Sequence, residues 1–188
     1  MSHLSDSNIT KRALAHAFKA LLRLQPFEKI SVGEICEACE LNRKSFYYHF
    51  KDKYDLIQWI FQTEFISAMG SVDAEDRWSF LSALCAYFER ERDFYVKVLR
   101  ISGQNSFRQY FAEYLFQAAE PFLGGPLPED ENYRFLLTFL RDAILMAVIR
   151  WLEESPRVSA AEFVDRLRYI SEQMEAQARY RLERGGET

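Results

Sequence analysis

Apolar residues along the chain recur three and four positions apart far more often than they alternate with polar ones, a period that predicts helices almost throughout. A first helix is expected over about 8–24, with Leu14, Phe18 and Leu21 on one side beside Ala13 and Ala17, stopping before Pro26. Ser31, with Glu34 three positions later, forms a capping box that opens a short second helix, and Asn42 is a good N-cap for a third. Lys51-Asp52-Lys53 breaks the pattern before a fourth helix over about 54–69. After a loop at 70–75, five more helices are expected near 77–91, 93–101, 105–119, 131–153 and 159–182. GGPLPED at 124–130 is the clearest loop, and Ser155-Pro156 divides the last two helices. The expectation is an all-α fold of about nine helices in two blocks, 8–53 and 54–188.

Composition agrees. Of 188 residues, 48% are hydrophobic and 28% charged, as in ordinary folded proteins, and only 7 Gly and 5 Pro interrupt the helical pattern. The net charge of −4 is unevenly spread: residues 1–60 carry 9 basic against 7 acidic side chains, and residues 61–188 carry 15 against 21. A basic end on an acidic body suits a protein that presents one end to phosphate. The opening MSHLSDSN has neither a basic start nor an apolar run, so no secretory leader is expected. Residues 135–152 are apolar enough to suggest a membrane span, but Arg141 and Asp142 at the centre argue for a buried helix and no membrane partner. Three cysteines are too few for a disulfide scaffold, and a cytoplasmic location is expected.

The candidate chemistry sits in SVGEICEACELNRKSFYYHFKDK, residues 31–53. Two short helices about a turn apart, the second rich in groups that bond phosphate and base edges, are the layout of a helix-turn-helix that reads DNA. Arg43, Lys44 and Ser45, at the start of the third helix, are the expected base contacts, since Arg and Lys reach the acceptors of guanine. Tyr47 and Tyr48 offer hydroxyls on rigid rings for phosphate oxygens, and Ser31, Asn42, His49 and Lys53 complete the expected phosphate contacts. Phe46 and Phe50 are expected to pack inward.

This stretch resembles the DNA-binding motif of the TetR family of regulators. An aromatic-aromatic-His-Phe run followed by Lys-x-Lys-x-x-Leu stands here as Tyr47-Tyr48-His49-Phe50, then Lys51, Lys53 and Leu56. The resemblance covers about residues 9–60 and implies three DNA-binding helices, a connecting fourth, and a helical domain for effector binding and dimerisation. Two positions depart from it: Glu40 stands where the family usually has Gly, and Lys44 where a small residue is common. A non-Gly residue at 40 would either enter a left-handed conformation at some cost or belong to a turn built differently. FYVKVLRISGQNSFRQYFAEYL at 94–115 is loosely similar to the branch containing regulators of dihydroxyacetone kinase genes.

Other features read as structure or as partner surfaces. Cys36-Glu37-Ala38-Cys39 is a CxxC with no second pair, so packing is expected rather than metal or redox chemistry, and neither a catalytic residue nor a cofactor is expected. Of 29 aromatic residues, 14 lie between 61 and 125, and Phe65, Trp78, Phe88, Phe107, Tyr110, Phe111 and Tyr114 are the candidates for an effector pocket that the resemblance implies. Residues 135–152 are apolar at 14 of 18 positions, which suggests one face toward the body and another toward a second subunit. Phe139, Ile144, Val148 and Trp151, with Phe163, Leu167, Ile170 and Met174 of the last helix, are expected to form a four-helix homodimer interface. Together these features predict a homodimeric regulator that binds double-stranded DNA at a near-palindromic operator. A repressor released by a small-molecule effector is the first expectation. An activator controlled by a protein co-regulator is the alternative, and a redox or enzymatic role for Cys36 and Cys39 the remote one.

Overall fold

The computed structural model describes residues 2–66, 77–101, 103, 106–123, 130–154 and 157–185. Among these residues are nine α-helices and no strand, as the apolar period predicts. They are α1 (Ser2–Leu24), α2 (Val32–Glu37), α3 (Arg43–His49), α4 (Lys53–Phe61), α5 (Arg77–Arg90), α6 (Arg92–Arg100), α7 (Phe107–Leu123), α8 (Glu131–Glu153) and α9 (Ala160–Gly185). The fourth helix leaves α geometry earlier than expected: Gln62–Ile66 continue as a π-helical turn, and 67–69 lie outside the described residues. The expected loop at 70–75, most of that at 124–130, and Ser155-Pro156 also lie outside them.

The head is built on one stripe of α1. Leu14, Phe18 and Leu22 are buried, four residues apart, while the expected Leu21 is only half-buried beside them. Against the stripe pack Ile35 and Cys36 of α2, Phe46 of α3 with Phe50 after it, and Leu56, Ile57 and Ile60 of α4. Phe18 meets Phe27 edge-on, the two centroids 6.3 Å apart. The same buried cluster runs without a break into the body. Polar bonds tie the two as well. Lys97 of α6 donates to the carbonyls of Leu22 (2.7 Å) and Arg23 (3.2 Å), capping the end of α1. Lys19 of α1 reaches Glu64 at 2.7 Å and Glu91 at 3.1 Å.

Packing in the body divides two groups of candidates by burial. Phe65, Phe88, Phe107 and Phe111 are buried against Phe61 and one another, with ring centroids 5.0 Å apart for Phe88–Phe111 and 5.4 Å for Phe61–Phe107. Tyr110 and Tyr114 lie half-buried at the edge of this cluster, and Trp78 packs against the core from α5. Among the described residues the buried rings of this group serve as core. The expected dimer face also divides. Val148, Trp151 and Phe163 are buried within the protomer, where Trp151 stacks on Phe163 at 4.8 Å and donates Nε1–H to the Val158 carbonyl at 2.8 Å. The Trp151–Phe163 stack joins α8 to α9, and all three side chains are packed inside the protomer. Ile144 and Leu167 are half-buried against the same core. Phe139, Ile170 and Met174 remain in solvent, 58%, 52% and 63% exposed, alongside Phe135 and Tyr169.

Candidate nucleic-acid interface

Local bonds set the geometry of α2 and α3. The Ser31 hydroxyl accepts from the Glu34 N–H at 3.1 Å, and the Glu34 carboxylate accepts from the Ser31 N–H at 2.8 Å, which is the expected capping box. Hydrogen bonds received by the carboxylate, first from the Ser31 N–H, then from the Ser31 and Gln25 side chains, hold the Glu34 carboxyl below its usual range. The Ser31 backbone donor is therefore spent inside the motif, and its exposed hydroxyl is shared with the Glu34 carboxylate.

The turn between the helices closes as a Schellman motif around Glu40. Leu41 N–H donates to the Cys36 carbonyl at 2.8 Å and Glu40 N–H to that of Glu37 at 3.2 Å. Glu40 takes φ +56°, the first of the two alternatives for this position, at a cost of about 1–2 kcal/mol that glycine would avoid. Asn42 then caps α3, its Oδ1 accepting from the Ser45 N–H at 2.9 Å and lying 3.3 Å from the Ser45 hydroxyl. Ser45 is thus partly engaged before any base arrives, while the Asn42 amide group stays outward.

Buried Phe46 and Phe50 fix the inner side of α3, as expected, and turn Lys44, Tyr47 and Tyr48 into solvent. Arg43 is exposed, but its guanidinium folds back over Gly33 of α2, so close that a Cβ at 33 would lie 2.6 Å from one of its nitrogens. Gly33 therefore leaves room for the Arg43 side chain to rest there, a role that a lone Gly inside a short helical pattern does not reveal. His49 is half-buried between Tyr48 and Phe50, with centroids at 4.9 Å and 6.3 Å. Burial first, and then the charge of Lys11, push its pKa down, so the imidazole is neutral at pH 7. Lys11 was missed on the sequence because it lies on α1; its ammonium sits over the rings of Phe50 (6.0 Å) and Trp59 (5.8 Å), beside the helix-turn-helix.

Lys53 is the correction at this face. Its ammonium donates to the carbonyls of Phe27 (2.8 Å) and Ile30 (2.5 Å) and lies 4.0 Å from the Phe27 ring centroid. Two of its three protons tie the start of α4 to the connection between α1 and α2, and burial lowers its pKa. It is a brace rather than a free phosphate anchor. Cys36 is buried, and Cys39 donates to the carbonyl of Ile35 at 3.2 Å; burial raises both thiols, the opposite of what redox or metal chemistry requires. No group of three or more metal-ligating side chains occurs among the described residues.

Two family models match the chain: "Bacterial regulatory proteins, tetR family" over residues 14–60, and "Transcriptional regulator C-terminal region" over 76–173, more than half of its length. The chain belongs to the TetR family of transcriptional regulators. Family membership makes it a DNA-binding regulator of transcription rather than an enzyme. One relative, the "HTH-type dhaKLM operon transcriptional activator DhaS" of Lactococcus lactis, is 28% identical over 110 residues, which span 58% of each chain. A solved structure titled "Dihydroxyacetone kinase operon activator DhaS" superposes with TM-score 0.61 at 21% identity, covering 90% of this chain and 96% of the other. A TetR transcriptional regulator from Streptococcus agalactiae gives TM-score 0.65 at 22% identity, covering 88% and 96%. These two structures share the fold of the present chain. No helix among the described residues is long and apolar enough to cross a membrane.

Proposed function

We propose that this TetR-family chain works as a homodimer whose two α3 helices enter successive major grooves of a near-palindromic operator, roughly one helical turn apart. The observation that carries this reading is the division of α3: Phe46 and Phe50 buried, Lys44, Tyr47 and Tyr48 in solvent, and Arg43 resting on a glycine from which it is free to swing. Arg43, Lys44 and the engaged Ser45 would read bases. Tyr47, Tyr48, Ser31, Asn42 and the neutral His49 would fix register on phosphates, with Lys11 beside them. The exposed Phe139, Ile170 and Met174 of α8 and α9 would form the subunit interface, with Phe135 and Tyr169 extending it.

Activation is the sign of control best supported, because the Lactococcus relative is described as a transcriptional activator. A repressor released by a small-molecule effector is the alternative, and the promoter assay below separates the two. Selection from a random double-stranded DNA pool tests the reading, and enrichment of a sequence with two-fold symmetry is the expected result. A promoter carrying that sequence then reports the sign, with raised output expected. Arg43→Ala should cost about 1–3 kcal/mol of binding and relax preference at one base position. If no sequence is enriched, α3 does not read DNA.

A further inference from the structure

A cavity of about 230 Å³ opens where the head meets the body. Its walls come from the last turns of α1, the junction between α5 and α6, and Arg157 just before α9. Six basic and three acidic side chains line it, a surplus of positive charge on a protein whose net charge is −4.

Three of those cations are already committed. Lys19 is paired with Glu64 and Glu91. Lys97 caps the carbonyls of α1. Arg92, buried, donates to the carbonyls of Trp151 at 2.8 Å and Glu154 at 3.0 Å. The other three make no close hydrogen-bonded pair among the described residues. Arg90 lies over the Tyr87 ring at 5.3 Å, which leaves its N–H edge open, and approaches Glu91 only at 3.7 Å; Arg157 approaches Asp93 only at 4.0 Å, both ends of that pair being exposed. Arg23 makes no ion pair among the described residues. The N-terminus of α6 meets the same cavity, and its N-cap Glu91 makes no side-chain capping bond. Loosely held guanidinium groups beside the positive end of a helix are a setting for an oxyanion.

We infer that this cavity binds a small oxyanion, a phosphate or a carboxylate, held between Arg23 of the head and Arg90 and Arg157 of the body. The volume lies below the ~300–1,000 Å³ of sites for drug-sized ligands, so the occupant has few heavy atoms. Because Arg23 belongs to α1, whose stripe carries the head core, the anion bridges head and body and alters operator affinity; this second part rests on the reading of the chain as a DNA-binding regulator.

The test is thermal unfolding of the full chain in increasing inorganic phosphate, with ionic strength held constant by chloride and a parallel acetate series. A saturable rise in Tm is expected, with an apparent affinity about tenfold weaker in Arg23→Gln and in Arg90→Gln, and unchanged in Arg166→Gln on the exposed side of α9. The general stabilising effect of phosphate acts on all variants alike, so the difference between them isolates the site. A response confined to acetate identifies a carboxylate as the occupant and still supports the site. Equal responses in all variants, or no saturable response to either anion, overturn it. Operator binding measured in the same buffers separates the two parts. A chain that binds operator but no anion overturns the cavity site alone, and anion binding without change in operator affinity overturns the bridge. A chain that binds the anion but enriches no DNA overturns the regulator reading and leaves the site standing.

Discussion

Tyr47 and Tyr48 on α3 stand in solvent, 59% and 83% exposed, whereas Tyr87 and Tyr95, on α5 and α6, are buried. The residue type is the same, and the difference lies in where each hydroxyl finds its partner. Tyr87 Oη lies 2.7 Å from Tyr95 Oη and donates to Glu64 at 3.1 Å, and Glu64 in turn holds Lys19. That chain satisfies every polar group before any ligand arrives, so the buried pair stabilises the fold and joins head to body. The exposed pair keeps its hydroxyls for a partner. A tyrosine is thus read as structure or as recognition by its hydrogen bonds rather than by its place in a motif.

The largest effect should come from the body. Phe61 touches Phe65, Phe107, Phe111 and Tyr114 and is fully buried, so Phe61→Ala should cost about 3–5 kcal/mol of stability in urea unfolding. A cost below 1 kcal/mol would mean that the rings surround usable space after all, and would restore the effector pocket.

Alkaline unfolding sharpens the contrast next. Burial raises the pKa of Tyr87 and Tyr95, and raises the Cys85 thiol to about 12. A raised folded pKa keeps the proton on the native state while the unfolded chain loses it. The stability these groups contribute is therefore intact below their unfolded values, near 8.5 for Cys and 10 for Tyr, and falls above them. Each contributes a slope of about 1.4 kcal/mol per pH unit above its unfolded value. Unfolding measured from pH 8 to 11 should therefore show a steepening loss, shallower above pH 10 in Tyr95→Phe. An identical slope in that variant would place Tyr95 in solvent.

How much of this was legible in the sequence follows the same division. Helix positions, the Ser31–Glu34 box, the Asn42 cap and the left-handed Glu40 depend on neighbours within a few residues, and the chain order carries that information. Which side of an apolar helix another helix covers depends on distant elements. Apolar at 14 of 18 positions, residues 135–152 suggested a body face and a partner face. Their pattern did not say that Val148 and Trp151 belong to the first and Phe139 to the second. Lys53 was misread for the same reason: the carbonyls of Phe27 and Ile30 that hold it lie more than twenty positions away. A smaller effect tests that correction. Lys53→Ala should cost about 1–2 kcal/mol of stability through its lost bonds, and leave the salt dependence of operator binding unchanged. A salt slope reduced by about one with stability intact would return Lys53 to the phosphates.

The smallest effect bears most directly on the two tyrosine pairs. Tyr48→Phe removes one hydroxyl from the most exposed ring of α3, so folding stability should stay within about 0.5 kcal/mol of the parent. Operator affinity should fall by about 0.5–1.5 kcal/mol, alike for the selected sequence and for mismatched ones, because a phosphate bond carries no base preference. In Tyr95→Phe the ranking should reverse: the Tyr87 hydroxyl loses a neighbour, stability falls by about 1–3 kcal/mol, and affinity per folded molecule is kept. Both quantities can be measured on each variant by urea unfolding and by titration of labelled operator. A Tyr48→Phe variant that loses stability but not affinity would place the Tyr48 hydroxyl in the fold, and the contrast between the two pairs would fail.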